Sequence, residues 1–513
     1  MTHLPILPVI LPGLAGIILL LLTYASVSLR RALNLIATAL MVVLGIVLVG
    51  VTVDNGYQVY ELGNWPSPFG IVLVLDRLSA FMVLLTALVA FCSLLFAVQG
   101  FDERGKNFHP LFQLQLMGLS IAFLTGDIFN LFVAFEVLLI ASYGLLLHGG
   151  GRQRVRAGLH YVIINLVGSS LFLLAVGLIY GVTGTLNMAD LAVRAGDVAP
   201  TDLPLLRTGA LLLFLVFAVK GALVPLYFWL PGAYSTAGAP VAALFAIMTK
   251  VGAYAIVRIY FLVFGGTAVV APIESLLLPA ALITLTLGMV GVMITPNLKR
   301  LVSYMVIGSM GTLLIAVGLF NEASLSAGLY YLAHGTVVVS ALFLLAGLIS
   351  QQRGRARDHL TPAQAVAQPG LLGVLFFALA VAAIGLPPLS GFLGKVSILA
   401  SATDSEAIGW VWAVVLVTSV FTLVGFSRAG SVLFWKTSGA PSEPVKATTG
   451  HIVPIVGLLG LMVVMTIWGQ AVLEFTDAAA AQLADRDAYI EAVMNTPRAL
   501  EAQALELTME ETP

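Results

Sequence analysis

The chain has 513 residues, 60% hydrophobic and only 10% charged, with a mean hydropathy of +1.04 and a net charge of −1. A soluble domain carries roughly 25% charged residues, so the composition excludes a soluble protein, and the balanced charge gives no nucleic-acid signal. A single cysteine, Cys92, excludes an internal disulfide and a thiolate metal site.

In chain order, fourteen apolar stretches approach or exceed the ~20 residues that span a bilayer. They are 4–23, 32–53, 76–99, 109–126, 127–148, 157–181, 208–231, 240–264, 271–294, 299–320, 325–350, 371–400, 408–434 and 450–474. The first is expected to be a retained span rather than a cleaved signal peptide, because Arg30 and Arg31 follow it and no basic segment precedes it. Between the second and third, residues 54–75 carry turn signals and short β-prone runs, which predicts a small external hairpin. After residue 475 the chain turns polar and acidic, ending in Glu510, Glu511 and Pro513, and 478–508 reads as a short external helix or a frayed tail.

Basic residues sort by alternate loops. One set carries Arg30 and Arg31; Arg104 and Lys106; Arg152, Arg154 and Arg156; Lys299 and Arg300; Arg353, Arg355 and Arg357; Lys436 and Lys446. The opposite set holds only Arg194 and Arg207 among acids such as Asp190, Asp202 and Glu322. The positive-inside rule then places the basic loops in the cytoplasm and both termini outside, and an even helix count preserves the alternation.

Four ionisable residues fall deep in the predicted spans. Glu136 lies nine residues past Asp127, about 14 Å along a helix and near the middle of a ~30 Å core. Lys250 lies ten residues past Pro240, at similar depth. Lys220 precedes a break at Pro225, and Lys395 follows one at Pro387–Pro388. Charges inside a bilayer cost several kcal/mol and mark pathways or partners. Breaks at membrane depth are tolerated where protein or a water-filled cavity takes up the freed backbone groups. One Glu–Lys pair can simply lock two helices, but three lysines and one glutamate cannot all pair. His334 is either an intermediate proton carrier or a helix–helix hydrogen-bond partner. Arg258 and Arg428, nearer helix ends, can snorkel and read as structural; Asp127 is expected to cap a helix, and Asp76 to sit at the external interface.

KGALVPLYFWLP (220–231), APVAALFAIMTK (239–250) and GLPPLSGFLGK (385–395) occur in this order, with TGDIFNLFVAFEVLLIASYGLLLHGG ahead of them. On these elements the chain resembles the antiporter-like family shared by Mrp-type (Mnh/Pha) multisubunit cation/proton antiporters and the complex I membrane arm. Within it, the chain is similar to the Mrp D subunits, on the Pha-like, potassium-associated branch. The resemblance implies an all-α polytopic membrane protein with two inverted five-helix repeats, each containing one broken helix. The implied division is 1–108, repeats at 109–265 and 271–436, and 437–513 with the last helix and an external acidic tail. It implies a proton-translocating component powered by the proton motive force, with a relay through Glu136, Lys220, Lys250 and Lys395. Residues 299–320 contain no carboxylate to match Glu136. Relatives often carry a lysine soon after the histidine of helix 11, where this chain has Val338 and Val339 after His334. The expected partners are an A subunit, a C subunit, small subunits and membrane lipid in a bacterial inner membrane, with Na+ or K+ passing through the partners. No cofactor, metal or nucleic acid is implied, and the alternative is a proton-pumping subunit of a redox-driven complex such as NADH:quinone oxidoreductase or a membrane-bound hydrogenase.

Overall fold

The computed structural model describes residues 3–438 and 446–496; Glu510, Glu511, Pro513 and the end of the 478–508 stretch lie outside them. The long apolar runs become helices because a chain without water must satisfy its backbone internally. The crossings are α1 (Leu4–Leu21), α2 (Val27–Asn55), α3 (Arg77–Ala97), α4 (Phe108–Leu124), α5 (Ile128–Leu147), α6 (Arg152–Thr183), α7 (Leu203–Gly221, then Trp229–Thr236), α8 (Ala239–Val263), α9 (Ala271–Ile294), α10 (Leu298–Gly318), α11 (Glu322–Gln352), α12 (Pro369–Ile384, then Ser390–Ser401), α13 (Ile408–Trp435) and α14 (Thr449–Ile467). Twelve are long and apolar enough to cross a membrane, and the shorter apolar α4 and the first half of α12 complete the fourteen.

Local chemistry sets the ends. Ser26, Asp127 and Asn321 accept from backbone N–H groups of the first turns of α2, α5 and α11. Asp76 and Ser79 form a reciprocal capping box on α3. Gly184 ends α6 in the left-handed conformation that glycine adopts without Cβ strain.

The expected hairpin forms from β1 (Gln58–Glu61) and β2 (Val72–Leu75), antiparallel with Gln58 opposite Leu75. The C-terminal segment is ordered helix through its described part: α15 (Gly469–Ala484) and α16 (Arg486–Met494). Gln482 ties it down, accepting from the Arg77 N–H at 2.9 Å and, through its carbonyl, from the Tyr57 hydroxyl at 2.9 Å.

Helices α4–α8 and α9–α13 repeat one plan. In the first, Ile128 N–H donates to Leu186 O (2.9 Å) and Met188 N–H to Gly126 O (2.8 Å); in the second, Leu298 N–H donates to Asp358 O (2.8 Å) and Leu360 N–H to Pro296 O (2.7 Å). Each repeat's fourth helix is broken, and each fifth helix ends in a π-helical stretch, Val257–Val263 and Ser431–Trp435. Five crossings separate the Asp127 loop from the Asn297 loop, so the second copy is inverted. The centre is α8, α10 and α11, almost wholly buried, whereas α1, α2, α6, α13 and α14 turn leucine, isoleucine and valine outward as lipid-facing helices do.

Arg258 has the structural role its sequence reading gives it, but it does not snorkel. It is fully buried in α8 and makes a bidentate ion pair with Asp76, donating as well to the Tyr254 hydroxyl, which donates to Phe123 O at 2.7 Å. A guanidinium matches a carboxylate in two parallel hydrogen bonds, so burial with a partner replaces escape to water. Arg428 bonds the Thr295 carbonyl at the end of α9 at 2.5 Å.

Candidate functional site

The two helix breaks build the site. The first half of α7 ends with Ala222 in the left-handed conformation, and the chain runs non-helically through Pro225 before resuming at Trp229. The Trp229 indole N–H donates to Val219 O at 3.0 Å, beside the Ala222 N–H at 3.2 Å, and Thr284 Oγ1 accepts from Val224 N–H at 3.0 Å. In α12 the interruption covers Gly385 to Leu389, including Pro387 and Pro388. Here the lysine itself completes the break, with Lys395 Nζ donating to Ile384 O, the last residue of the first half, at 2.8 Å.

All three lysines and His334 are buried, none more than 8% exposed. Lys220 Nζ donates to Asn165 Oδ1 on α6 at 2.9 Å and lies 5.7 Å from the centre of the Phe135 ring. Glu136, next to Phe135, accepts from the Ser169 hydroxyl, one turn from Asn165 on α6. No Glu136–Lys220 ion pair occurs within 4.0 Å among the described residues. The ammonium and the carboxylate are thus each held by α6, at Asn165 and Ser169, rather than by one another.

Lys250 projects from the buried α8 to α10, donating to Ser309 Oγ at 3.1 Å and meeting Met310 Sδ at 3.3 Å. Helices α7 and α8 meet backbone to backbone here: a Cβ on Gly252 would come within 2.6 Å of Gly221 N. One on Gly221 would come within 3.2 Å of Met310 Cε, so Met310 lies between the α7 break and Lys250. Beyond Ser309, a Cβ on Gly335 would collide with Ser309 Oγ, which brings α11 against α10 beside His334. His334 Nδ1 lies 2.9 Å from Ser390 Oγ, at the start of the second half of α12. Lys395 also donates to Ser419 Oγ on α13 at 2.8 Å. The buried polar groups therefore follow one another in clusters from α5 to α13, at or beside both breaks.

Pattern reading missed Asn165, Ser169, Ser309, Ser390 and Ser419. Asn165 and Ser169 leave a signal, two polar residues spaced four apart inside IINLVGSSLFLL. The serines leave little, because a hydroxyl in a membrane helix satisfies itself on its own backbone, as Ser419 does on Val415 O at 2.8 Å.

The family model described as NADH:quinone oxidoreductase/Mrp antiporter, TM, matches residues 125–422. The chain is 38% identical to the D subunit of a probable K(+)/H(+) antiporter of Rhizobium meliloti strain 1021, over 97% of this chain and 98% of that one. The chain belongs to the NADH:quinone oxidoreductase/Mrp antiporter family, among the Mrp D subunits. It is also 37% identical to the D subunit of the Na(+)/H(+) antiporter of Alkalihalophilus pseudofirmus, over 96% of this chain and 100% of that one. Among solved structures, a chain of the Mrp complex from Dietzia sp. DQ12-45-1b superposes with a TM-score of 0.85 at 29% identity, covering 96% of this chain and 100% of that chain. A Mrp D subunit is one piece of a multisubunit membrane transporter, so this multi-pass chain has other subunits as partners.

Proposed function

We propose that this chain is the proton-translocating subunit of a multisubunit monovalent cation/proton antiporter driven by the proton motive force. Protons pass along the buried line Glu136, Lys220, Lys250 and Lys395, with His334 bridging the last two. The observation that supports this reading is that these buried polar groups follow one another from α5 to α13 and stand at or beside both helix breaks. A lysine can hand on a proton only where its neighbours can accept the ammonium, and Asn165, Ser309 and Ser419 are neutral acceptors that hold the charge without trapping it as an ion pair would. Opening or closing the Glu136 end changes the charge felt by Lys220, and the change passes towards Lys395.

Three lysines against one carboxylate make this line repulsive to a metal cation. The exchanged Na+ or K+, the two ions in the relatives' names, therefore passes through partner subunits, which we take to be A, C and small subunits in a bacterial inner membrane. The matched loop pairs and breaks support repeats at 109–265 and 271–436, flanked by 1–108 and 437–513. Charge asymmetry supports cytoplasmic basic loops and external termini, and a C-terminal reporter active only in the cytoplasm is expected to be silent.

Inverted vesicles containing the assembled complex test the function: proton uptake should reverse on adding Na+ or K+, and complexes lacking this chain should show none. Exchange that survives its removal would refute the reading. A second reading, a subunit of a redox-driven pump, is favoured by the oxidoreductase half of the family description. Copurification with iron–sulfur subunits would select it.

A further inference from the structure

A cavity of about 1690 Å³ opens on the basic face, lined by five loops spaced two crossings apart. Eight lysine and arginine side chains, from Arg104 to Arg357, line it against a single acid, Asp358. Positive-inside loops alone give a basic surface, but three further observations set this one apart. None of the eight cations has an ion pair within 4.0 Å among the described residues; the same holds for Arg30, Lys106 and Lys436 outside the cavity, so what is particular here is that eight such cations face one space. The N-termini of α6, α8 and α10 all reach the cavity wall, through Gly151, Gly238 and Asn297; none has a side-chain cap and none has an acid in its first turn. Helix N-termini carry about half a positive charge each and bind anions. Finally, Arg152, Arg156 and His160 line the cavity from one face of α6, while Val155, Leu159 and Ile163 on its next face are at least 50% exposed.

We propose that this vestibule is a phosphate-binding site, occupied by the phosphate of an anionic phospholipid headgroup or by free phosphate. The paired faces of α6 favour the headgroup: the phosphate sits among the cations while the acyl chains run down the apolar face. The site stands over the start of α8, ten residues from Pro240 to Lys250, or about 15 Å of helix. An unoccupied vestibule repels Na+ and K+ from this mouth, and a bound phosphate lowers that potential.

The test uses the assembled complex in uncharged detergent at constant ionic strength, since screening alone weakens such sites. Inorganic phosphate and short-chain phosphatidylglycerol are titrated separately, then in competition, with short-chain phosphatidylcholine as the lipid without net charge. Phosphatidylglycerol, phosphate or both should bind saturably, and phosphatidylcholine should not. The triple variant Arg156→Gln/Lys299→Gln/Arg355→Gln should bind on the order of 100-fold more weakly. The equal charge removal Arg30→Gln/Lys106→Gln/Lys436→Gln, outside the cavity, should leave binding unchanged. Phosphatidylglycerol binding tighter than phosphate and displaced by it identifies the headgroup as the source; phosphate binding that the lipid cannot displace identifies free phosphate. Absence of saturable binding by both, or equal loss in the two triple variants, would overturn the site.

Discussion

Replacing Asn165 by Leu is the sharpest perturbation of the proposed relay, because it alters neither the carboxylate nor a lysine. Lys220 Nζ then loses its 2.9 Å acceptor on α6, while Glu136 keeps its bond to Ser169. A hydrogen bond to a charged group contributes about 1.5–3 kcal/mol, so the ammonium docked on α6 becomes roughly 10–150-fold less populated. If Lys220 carries protons from that docked state, cation/proton exchange should fall by at least about tenfold. Asn165→Asp retains an acceptor and adds a charge; it should hold Lys220 too firmly and also slow exchange, whereas Ser169→Ala, which removes one hydroxyl, should be milder. Exchange is read as cation-induced collapse of a proton gradient in inverted vesicles, with assembly checked on blue-native gels of the same membranes. Assembled Asn165→Leu complexes that exchange at the wild-type rate would refute the link through α6.

Lys250→Ala and Lys395→Ala should both abolish exchange and both truncate a buried side chain, but Lys395→Ala should lower thermal stability further, by about 1–3 kcal/mol, because it strips Ile384 O of its donor. Equal melting temperatures for the two variants would contradict that role. Arg258→Gln leaves Asp76 buried without its cation and should cost about 3–5 kcal/mol, seen as poor assembly; Arg258→Met with Asp76→Leu should recover much of it. Asp102 is buried in the loop before α4; burial alone would raise its pKa, but hydrogen bonds from Arg31 and His109 hold it well below the usual carboxylate range. A depressed carboxylate contributes stability above its unfolded value near 4 and loses it only as pH falls below that. Asp102→Asn should therefore destabilise the complex by about 1–3 kcal/mol, with a gap to wild type that stays flat from pH 8 to 5 in thermal unfolding.

Hydropathy made the crossings legible because lipid imposes one rule on every residue of a span, and the breaks were legible because proline cannot donate in a helix. The hairpin at 58–75 followed from its local turn chemistry. What local pattern did not reveal is pairing across sequence distance. Arg258 looked like a helix-end residue, yet its partner Asp76 lies 182 positions away. The connection between Glu136 and Lys220 runs through a third helix whose Asn165 and Ser169 resemble ordinary membrane polar residues. The phosphate-class vestibule was invisible for the same reason: each basic loop satisfies the topology rule alone, and only folding gathers five of them around one cavity.

The two repeats share a backbone plan but not their charges, and we propose that this difference gives the relay its direction. Glu136 lies nine residues past Asp127 in α5; the matching position in α10, nine past Asn297, is Val306. Lys220 therefore has a carboxylate in its neighbourhood, while Lys395 rests on a carbonyl and a hydroxyl. Like charges along one buried line repel, so charging it all at once is less favourable than charging its members in turn. The two ends of the proposed line thus differ in charge, with a carboxylate near one and neutral acceptors holding the other. A carboxylate introduced by Val306→Glu should remove that asymmetry, hold a proton near Lys250 and slow exchange while leaving the fold intact. Faster exchange in an assembled Val306→Glu complex would show that the single carboxylate does not set the direction.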